Sequence, residues 1–272
     1  MTKYKWCVCD MDGTLLNSQS IISEENEEAL KKIKSEGMEV IIASGRTDLM
    51  INCFVKQLEL TGPVISSNGG LIRDMKTGKI LYSKLIEKSA AEEILSYCCE
   101  NNIDFLIYSF DKVYSNKGNP LGIKYEKLSK DPFQKMKVPV EYLENAVRSI
   151  KNINVIKILL VCSEHERVIE LEKHFSKNKQ ITAVSSAKGL LDIMAPNVSK
   201  GNALKFLAEN MDMDLKNVIA FGDNYNDMEM LKCVGMPIAM ENAVQDLKLQ
   251  AKHVTKSNNE SGIAYAINKF VL

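Results

Sequence analysis

The first pattern along the chain is an uninterrupted apolar run over residues 6–9. A strand with no polar face belongs in the buried middle of a parallel sheet rather than in a half-exposed antiparallel one. Ser23 then stands at an N-cap position, with Glu24 and Glu25 in the first turn, an inner stripe of Ala29, Leu30 and Ile33, and Gly37 as a stop, which predicts a helix. A strand over 38–43, a helix from Thr47 or Asp48 to residue 60, a break at Gly62-Pro63 and a strand over 64–66 follow. Strand, helix, strand, helix, strand is the doubly wound pattern, in which ligands collect at the carboxyl ends of the strands. Asp10, Ser44 and Asn68 all fall at such ends.

A hairpin over 71–73 and 80–83, around Thr77-Gly78, closes this first part. Beyond it the pattern changes to a helix over 89–101, strands over 104–108, 113–115 and 155–162, a helix over 163–177 and a strand over 181–185. Residues 116–150 hold Gly118, Pro120, Pro132 and Pro139 and give no periodicity. Residues 190–194 begin the return to alternation: a helix capped by Ser199, then strands over 218–222, 236–240 and 253–255 separated by helices over 224–233 and 243–251, and a last helix over 262–270. The expected architecture is α/β. A Rossmann-like doubly wound parallel-sheet core, residues 1–83 and 188–272, carries an inserted α+β domain at 84–187.

With 272 residues, 45% hydrophobic and 26% charged, the chain has capacity for one large or two moderate globular domains. Lys plus Arg and Asp plus Glu both number 35, so no overall basic field gathers nucleic acid or anionic lipid, and a small or locally steered partner is favoured. No apolar run reaches the length of a membrane span and no signal-like leader opens the chain, so the expected location is the cytoplasm, with no membrane partner. Seven cysteines without a CxxC pair read as reduced thiols, mostly in the core. Cys7 and Cys9 lack the second cluster that a zinc site needs. Oligomeric state leaves no mark in the sequence.

The chemistry concentrates in Asp10-Met11-Asp12-Gly13-Thr14-Leu15, directly after the first strand. Taken alone, two carboxylates one residue apart at a glycine turn are either a solvated loop or a cation-dependent reaction centre. Three further stretches fall at the same sheet edge: Ser44-Gly45-Arg46, Ser199-Lys200-Gly201-Asn202, and Asp223-Asn224-Tyr225-Asn226-Asp227. In order and spacing the four motifs resemble the haloacid dehalogenase superfamily, and within it the Cof-type (class IIB) sugar phosphatases, whose α/β cap is inserted between the second and third motifs. The resemblance spans essentially the whole chain. It implies a Mg2+-dependent phosphatase that acts on small phosphorylated metabolites through an aspartyl phosphate, with the cap closing over the core to exclude water and select the leaving group.

A phosphate monoester is a dianion, so a carboxylate approaches its phosphorus only when cations neutralise the oxygens, which calls for Mg2+ and a lysine. The resemblance makes Asp10 the nucleophile, Asp12 the proton carrier and Lys200 the charge bridging nucleophile and phosphoryl group. It assigns the metal to Asp10, the main-chain carbonyl of Asp12, Asp223 and Asn224, with Asp227 orienting that shell. Phosphate contacts fall to the main chain at Met11, to Ser44, Gly45 and Lys200, and to Asn226. Asn68-Gly69-Gly70 is either a plain turn or part of the site, and Ser257-Asn258 either closes the site loop or caps the last helix. Asn197 stands where relatives often have glycine; asparagine tolerates the left-handed conformation that such a position requires. A phosphomutase or phosphotransferase would use the same aspartyl phosphate. A non-catalytic ligand-binding regulator would not need the carboxylate pair. A dinucleotide oxidoreductase is disfavoured, because DMDGTL and no GxGxxG follows the first strand.

Overall fold

The computed structural model describes residues 3–130 and 137–272. The first segment runs β1 (Trp6–Cys9), α1 (Glu24–Ser35), β2 (Glu39–Ile42), α2 (Asp48–Gln57) and β3 (Pro63–Ser66), then β4 (Leu71–Asp74) and β5 (Ile80–Ser83). The Ser23 hydroxyl accepts from the Asn26 N–H at 3.3 Å, and Gly37 follows the helix end with φ +89°. Both are the cap chemistry that the sequence predicts.

The second segment is α3 (Lys88–Glu100), β6 (Asp104–Tyr108), β7 (Val113–Asn116), α4 (Pro120–Lys130), β8 (Val140–Leu143), α5 (Ala146–Ser149), β9 (Lys157–Val161), α6 (His165–Phe175), β10 (Thr182–Ala187) and β11 (Leu190–Met194). The chain then runs through α7 (Lys200–Asn210), β12 (Val218–Gly222), α8 (Met228–Cys233), β13 (Met236–Ala239), α9 (Gln245–Gln250), β14 (His253–Val254) and α10 (Gly262–Phe270). Contacts gather Met1–Gly45, Phe54–Leu81 and Ser199–Leu272 into one unit, and Arg46–Cys53 with Tyr82–Val198 into another.

In the first unit five strands pair in the order β14-β13-β12-β1-β2, every neighbour parallel, and a parallel bridge from Ala43 to Ile65 ties β3 beside β2. The order departs from β1 in one direction through β2 and in the other through β12, β13 and β14. The switch point therefore lies between β1 and β12, where a doubly wound sheet opens a crevice at its carboxyl edge. Cys7, Val8 and Cys9 are fully buried, as the continuous apolar run requires. α1 packs on α10, and α7 on α8.

The second unit is a six-stranded sheet, β10-β11-β9-β6-β7-β8, antiparallel except between β7 and β8. One of its clusters joins Phe105, Ile107, Ile158, Leu160, Leu191 and Ile193 to Leu95 of α3 and Leu171 of α6. This burial corrects one expectation. Residues 190–194 do not begin the core; β11 pairs with β9 and β10, because Leu191 and Ile193 fill that cluster. The stretch without periodicity holds α4, whose one fully buried residue is Gly122 and whose apolar face, Leu121 and Tyr125, is only partly buried. Pro132 lies outside the described residues.

Two polar residues of this unit, Asn119 and Tyr108, are buried. Asn119 caps α4, its Oδ1 accepting from the Leu121 N–H at 2.9 Å and its Nδ2 donating to the Phe105 carbonyl at 2.9 Å. Tyr108 is buried beside the ion pair of Lys157 and Asp192, whose charged atoms are 2.8 Å apart, with the ammonium 4.5 Å from the Tyr108 ring centroid. A buried pair contributes little net stability but is costly to break on one side only. We predict that Asp192→Ala destabilises this unit by about 3–5 kcal/mol, and that Lys157→Met with Asp192→Leu recovers most of the loss. Urea unfolding of the full chain measures both, and a single variant as stable as the parent would contradict the prediction.

Candidate active site

Asp10 leaves the end of β1, the middle strand at the switch point, and its N–H donates to the Phe221 carbonyl of β12 at 3.1 Å. That bond fixes the first carboxylate at the crevice. Gly13 then turns the chain with φ +79°, and a Cβ there would lie 2.3 Å from Asp223 Oδ2, so neither the conformation nor the space admits a side chain. Asp223 follows β12 on the neighbouring strand, and its Oδ1 accepts from the Thr14 hydroxyl at 3.0 Å. Lys200 is the first residue of α7, capped by Ser199, and is fully buried. Its ammonium donates to Asp10 Oδ1 at 2.5 Å and to Asp227 Oδ1 at 2.6 Å. Asp227 Oδ2 in turn accepts from the N–H groups of Asp223 and Asn224, at 3.0 and 3.2 Å.

One oxygen each from Asp10, Asp223 and Asp227 lies within 4.8 Å of the others. Three carboxylates against one ammonium leave two negative charges in excess when all are ionised. The electrostatics register that excess. Burial raises the Asp10 carboxyl well above its usual range, and although Lys200 pulls it back, Asp227 and Asp223 push it further up. Burial, then Asp227, lifts Asp223 to about 7, against the pull of the Thr14 hydroxyl and Lys200. Lys200 is raised as well: burial opposes its charge, but Asp10 and Asp227 outweigh that and hold it protonated. An all-oxygen donor set with two surplus charges fits a hard divalent cation such as Mg2+.

The remaining predicted residues lie around this cluster in different ways. Met11 is buried beneath the turn, whereas Asp12 is exposed. Ser44 ends β2's path at the same edge, its N–H donating to the Ile65 carbonyl and its own carbonyl accepting from the Asn68 N–H, both at 2.9 Å. Asn226 Nδ2 donates to Asn68 Oδ1 at 3.0 Å. Asn224 Oδ1 accepts from the Tyr225 N–H at 2.8 Å and caps a short 3-10 turn. Asn197 does take the left-handed conformation, with φ +60°.

Two residues of the site were not singled out by the motifs. Thr14 is buried and bonded to Asp223, inside the stretch already quoted. Asn68, readable as a plain turn, is buried at φ +57° and links Ser44 to Asn226. Its position at the carboxyl end of β3 was the signal; the Gly-Gly that follows made a turn an equally good reading.

The haloacid dehalogenase-like hydrolase family matches residues 7–267. The chain is 31% identical to the Bacillus subtilis 5-amino-6-(5-phospho-D-ribitylamino)uracil phosphatase YwtE, with 98% of each chain covered. It is 30% identical to the phosphatase YwpJ of the same organism, covering 96% of this chain and 98% of that one. A solved haloacid dehalogenase-like hydrolase from B. subtilis superposes with a TM-score of 0.86 at 29% identity, over 98% of this chain and 100% of the other. The chain therefore belongs to the haloacid dehalogenase-like hydrolases. It is a Mg2+-dependent phosphatase that acts on small phosphorylated compounds through an aspartyl phosphate. Among the described residues no helix is long and apolar enough to cross a membrane.

The raised carboxyls set a pH dependence. A carboxyl whose folded pKa lies above its unfolded one binds its proton more tightly in the native state, so its stabilisation is present at low pH and lost on ionisation. For Asp223 that loss runs from about 4, the ordinary carboxylate range, up to about 7. We predict that metal-free protein loses thermal stability over this window and that Mg2+ restores it, with a larger Mg2+-induced rise in Tm at about pH 8 than at about pH 5.5. Thermal unfolding in EDTA and in Mg2+ measures the difference; equal shifts at both pH values would contradict the prediction.

Proposed function

We propose that the chain hydrolyses a primary phosphate ester of a sugar or ribityl chain, with the catalytic labour divided as follows. The observation that carries the reading is the buried Lys200 held between Asp10 and Asp227. An ammonium has three N–H donors. Two meet these carboxylates, and the third is left for a phosphoryl oxygen, which positions the phosphorus against the second oxygen of Asp10. Asp10 attacks in line and forms the phosphoaspartate as the ester oxygen departs. Asp12, exposed and two residues on, gives its proton to that leaving oxygen. As a carboxylate it then takes a proton from the water that attacks the phosphoaspartate, so the same group serves both steps.

Mg2+, when bound, cancels the repulsion between the carboxylates and the phosphate dianion. Asp10, Asp223 and the Asp12 carbonyl are the groups we assign to holding it. Asn224 adds a further ligand, directly or through water, its side-chain oxygen also accepting from the Tyr225 N–H. Asp227 has both oxygens engaged, one by Lys200 and one by two main-chain N–H groups, which supports a positioning role behind the cation. Met11 and Gly45 contribute main-chain N–H groups to the phosphoryl oxygens, Ser44 its hydroxyl, and Asn226 its amide, steadied by Asn68. None of these groups reads the organic part of the substrate, whose selection falls to the cap. The ribityl class is supported by the phosphatase of similar length at 31% identity.

A panel of monoesters with Mg2+, scored for inorganic phosphate, tests the reading. Primary sugar and ribityl phosphates should lead the panel, and Asp10→Asn should lower release by roughly 10³-fold or more. Full release by Asp10→Asn would remove Asp10 as nucleophile, and phosphate transfer to a hydroxyl acceptor with little free phosphate would favour a mutase.

A further inference from the structure

The exposed Asp12 sits beside a glycine in the left-handed region, a poor support for a group that must meet a leaving oxygen. The turn has some internal bonds: the Leu15 N–H donates to the Asp10 carbonyl at 3.2 Å and the Leu16 N–H to the Met11 carbonyl at 2.8 Å. It is also gripped from a distant part of the chain. Asn242, just after β13, donates from Nδ2 to the Gly13 carbonyl at 2.8 Å. Asn258, between β14 and α10, donates from Nδ2 to the Leu16 carbonyl at 2.8 Å, and its own N–H donates to Asn242 Oδ1 at 3.0 Å. Neighbouring Asn259 accepts from the Ser18 N–H at 2.9 Å.

These bonds form one chain, from the Gly13 carbonyl through both asparagines to the Leu16 carbonyl. Asn242 must donate at one end of its amide and accept at the other, which fixes the orientation of the amide. An aspartate there would lose the donor and set a carboxylate against the Gly13 carbonyl. Asn258, left open between site closure and helix capping, binds the turn: its side chain goes to Leu16, and no side-chain bond caps α10.

We propose that Asn242 and Asn258 are positioning residues for Asp12, pinning the carbonyls on its C-terminal side so that its carboxyl is aimed at the leaving oxygen. The proposal rests on the reading of Asp12 as proton carrier. A purely structural clamp would slow every substrate alike. A clamp that aims the acid acts most on esters whose leaving oxygen needs a proton, such as ribose 5-phosphate. It acts little on p-nitrophenyl phosphate, whose aryl oxide leaves unprotonated.

The test compares kcat/KM of the full-length Mg2+-loaded enzyme on these two substrates for Asn242→Ala, Asn242→Asp and Asp12→Asn, with thermal unfolding of each. Asn242 is exposed, so its variants should fold with Tm near that of the parent. For both Asn242 variants we expect kcat/KM on ribose 5-phosphate to fall by about tenfold, and on p-nitrophenyl phosphate by less than about twofold; Asp12→Asn should show the same asymmetry at about 10²-fold or more. If Asp12→Asn shows the asymmetry and the Asn242 variants lose both substrates equally, or neither, the clamp is wrong. If Asp12→Asn itself shows no asymmetry, the reading of Asp12 fails and the clamp falls with it.

Discussion

The site is governed by a charge imbalance held largely away from water. Asp10, Asp223 and Asp227 converge within 4.8 Å, and one buried ammonium, Lys200, answers them. In a low-dielectric setting such an excess would protonate carboxyls or draw in cations. The upward drift of Asp10 and Asp223 is the first response, and affinity for a divalent oxygen-loving ion is the second. Phosphate chemistry follows from the second, since a dianionic ester approaches Asp10 only once that excess is cancelled.

The sheet makes this concentration of charge possible. β1 and β12 lie side by side at the point where strand order reverses, so Asp10 and Asp223 emerge from adjacent strand ends. Main-chain bonds then do what side chains cannot. Asp227 is held by two N–H groups of its own loop, which lets it hold Lys200 against Asp10. Gly13 leaves Asp223 the room a Cβ would take. The asparagine chain from Gly13 to Leu16 extends the same logic to the turn that carries Asp12.

Much of this was legible in the residues. The apolar run before Asp10, the cap at Ser23 and the alternation at both ends of the chain foretold the parallel sheet, because buried strands and capped helices carry their own periodicity. α4 carries a weak signal for the opposite reason: only Gly122 of it is fully buried, and its short apolar face of Leu121 and Tyr125 follows Gly118 and Pro120. β11 was misplaced because an apolar strand is equally suited to either sheet; only its pairing with β9 decides. In the site, charged residues after strand ends were readable, since ionised groups there demand an explanation. Thr14 and Asn242 were not, and Asn68 stayed open between turn and site, because neutral residues in turns have ordinary reasons to be there and acquire a role only through partners far away in the chain.

The central claim is that Asp10 is the nucleophile of the charged cluster, the group that accepts the phosphoryl group, and a chemical trap tests it most directly. Enzyme turning over a sugar phosphate with Mg2+ is quenched in acid, reduced with borohydride and digested, and the peptide around Asp10 is read by mass spectrometry. An acyl phosphate at Asp10 is reduced to the alcohol, so the account predicts homoserine at position 10 and unaltered aspartate at positions 12, 223 and 227. Reduction at another aspartate, or none during active turnover, would contradict it.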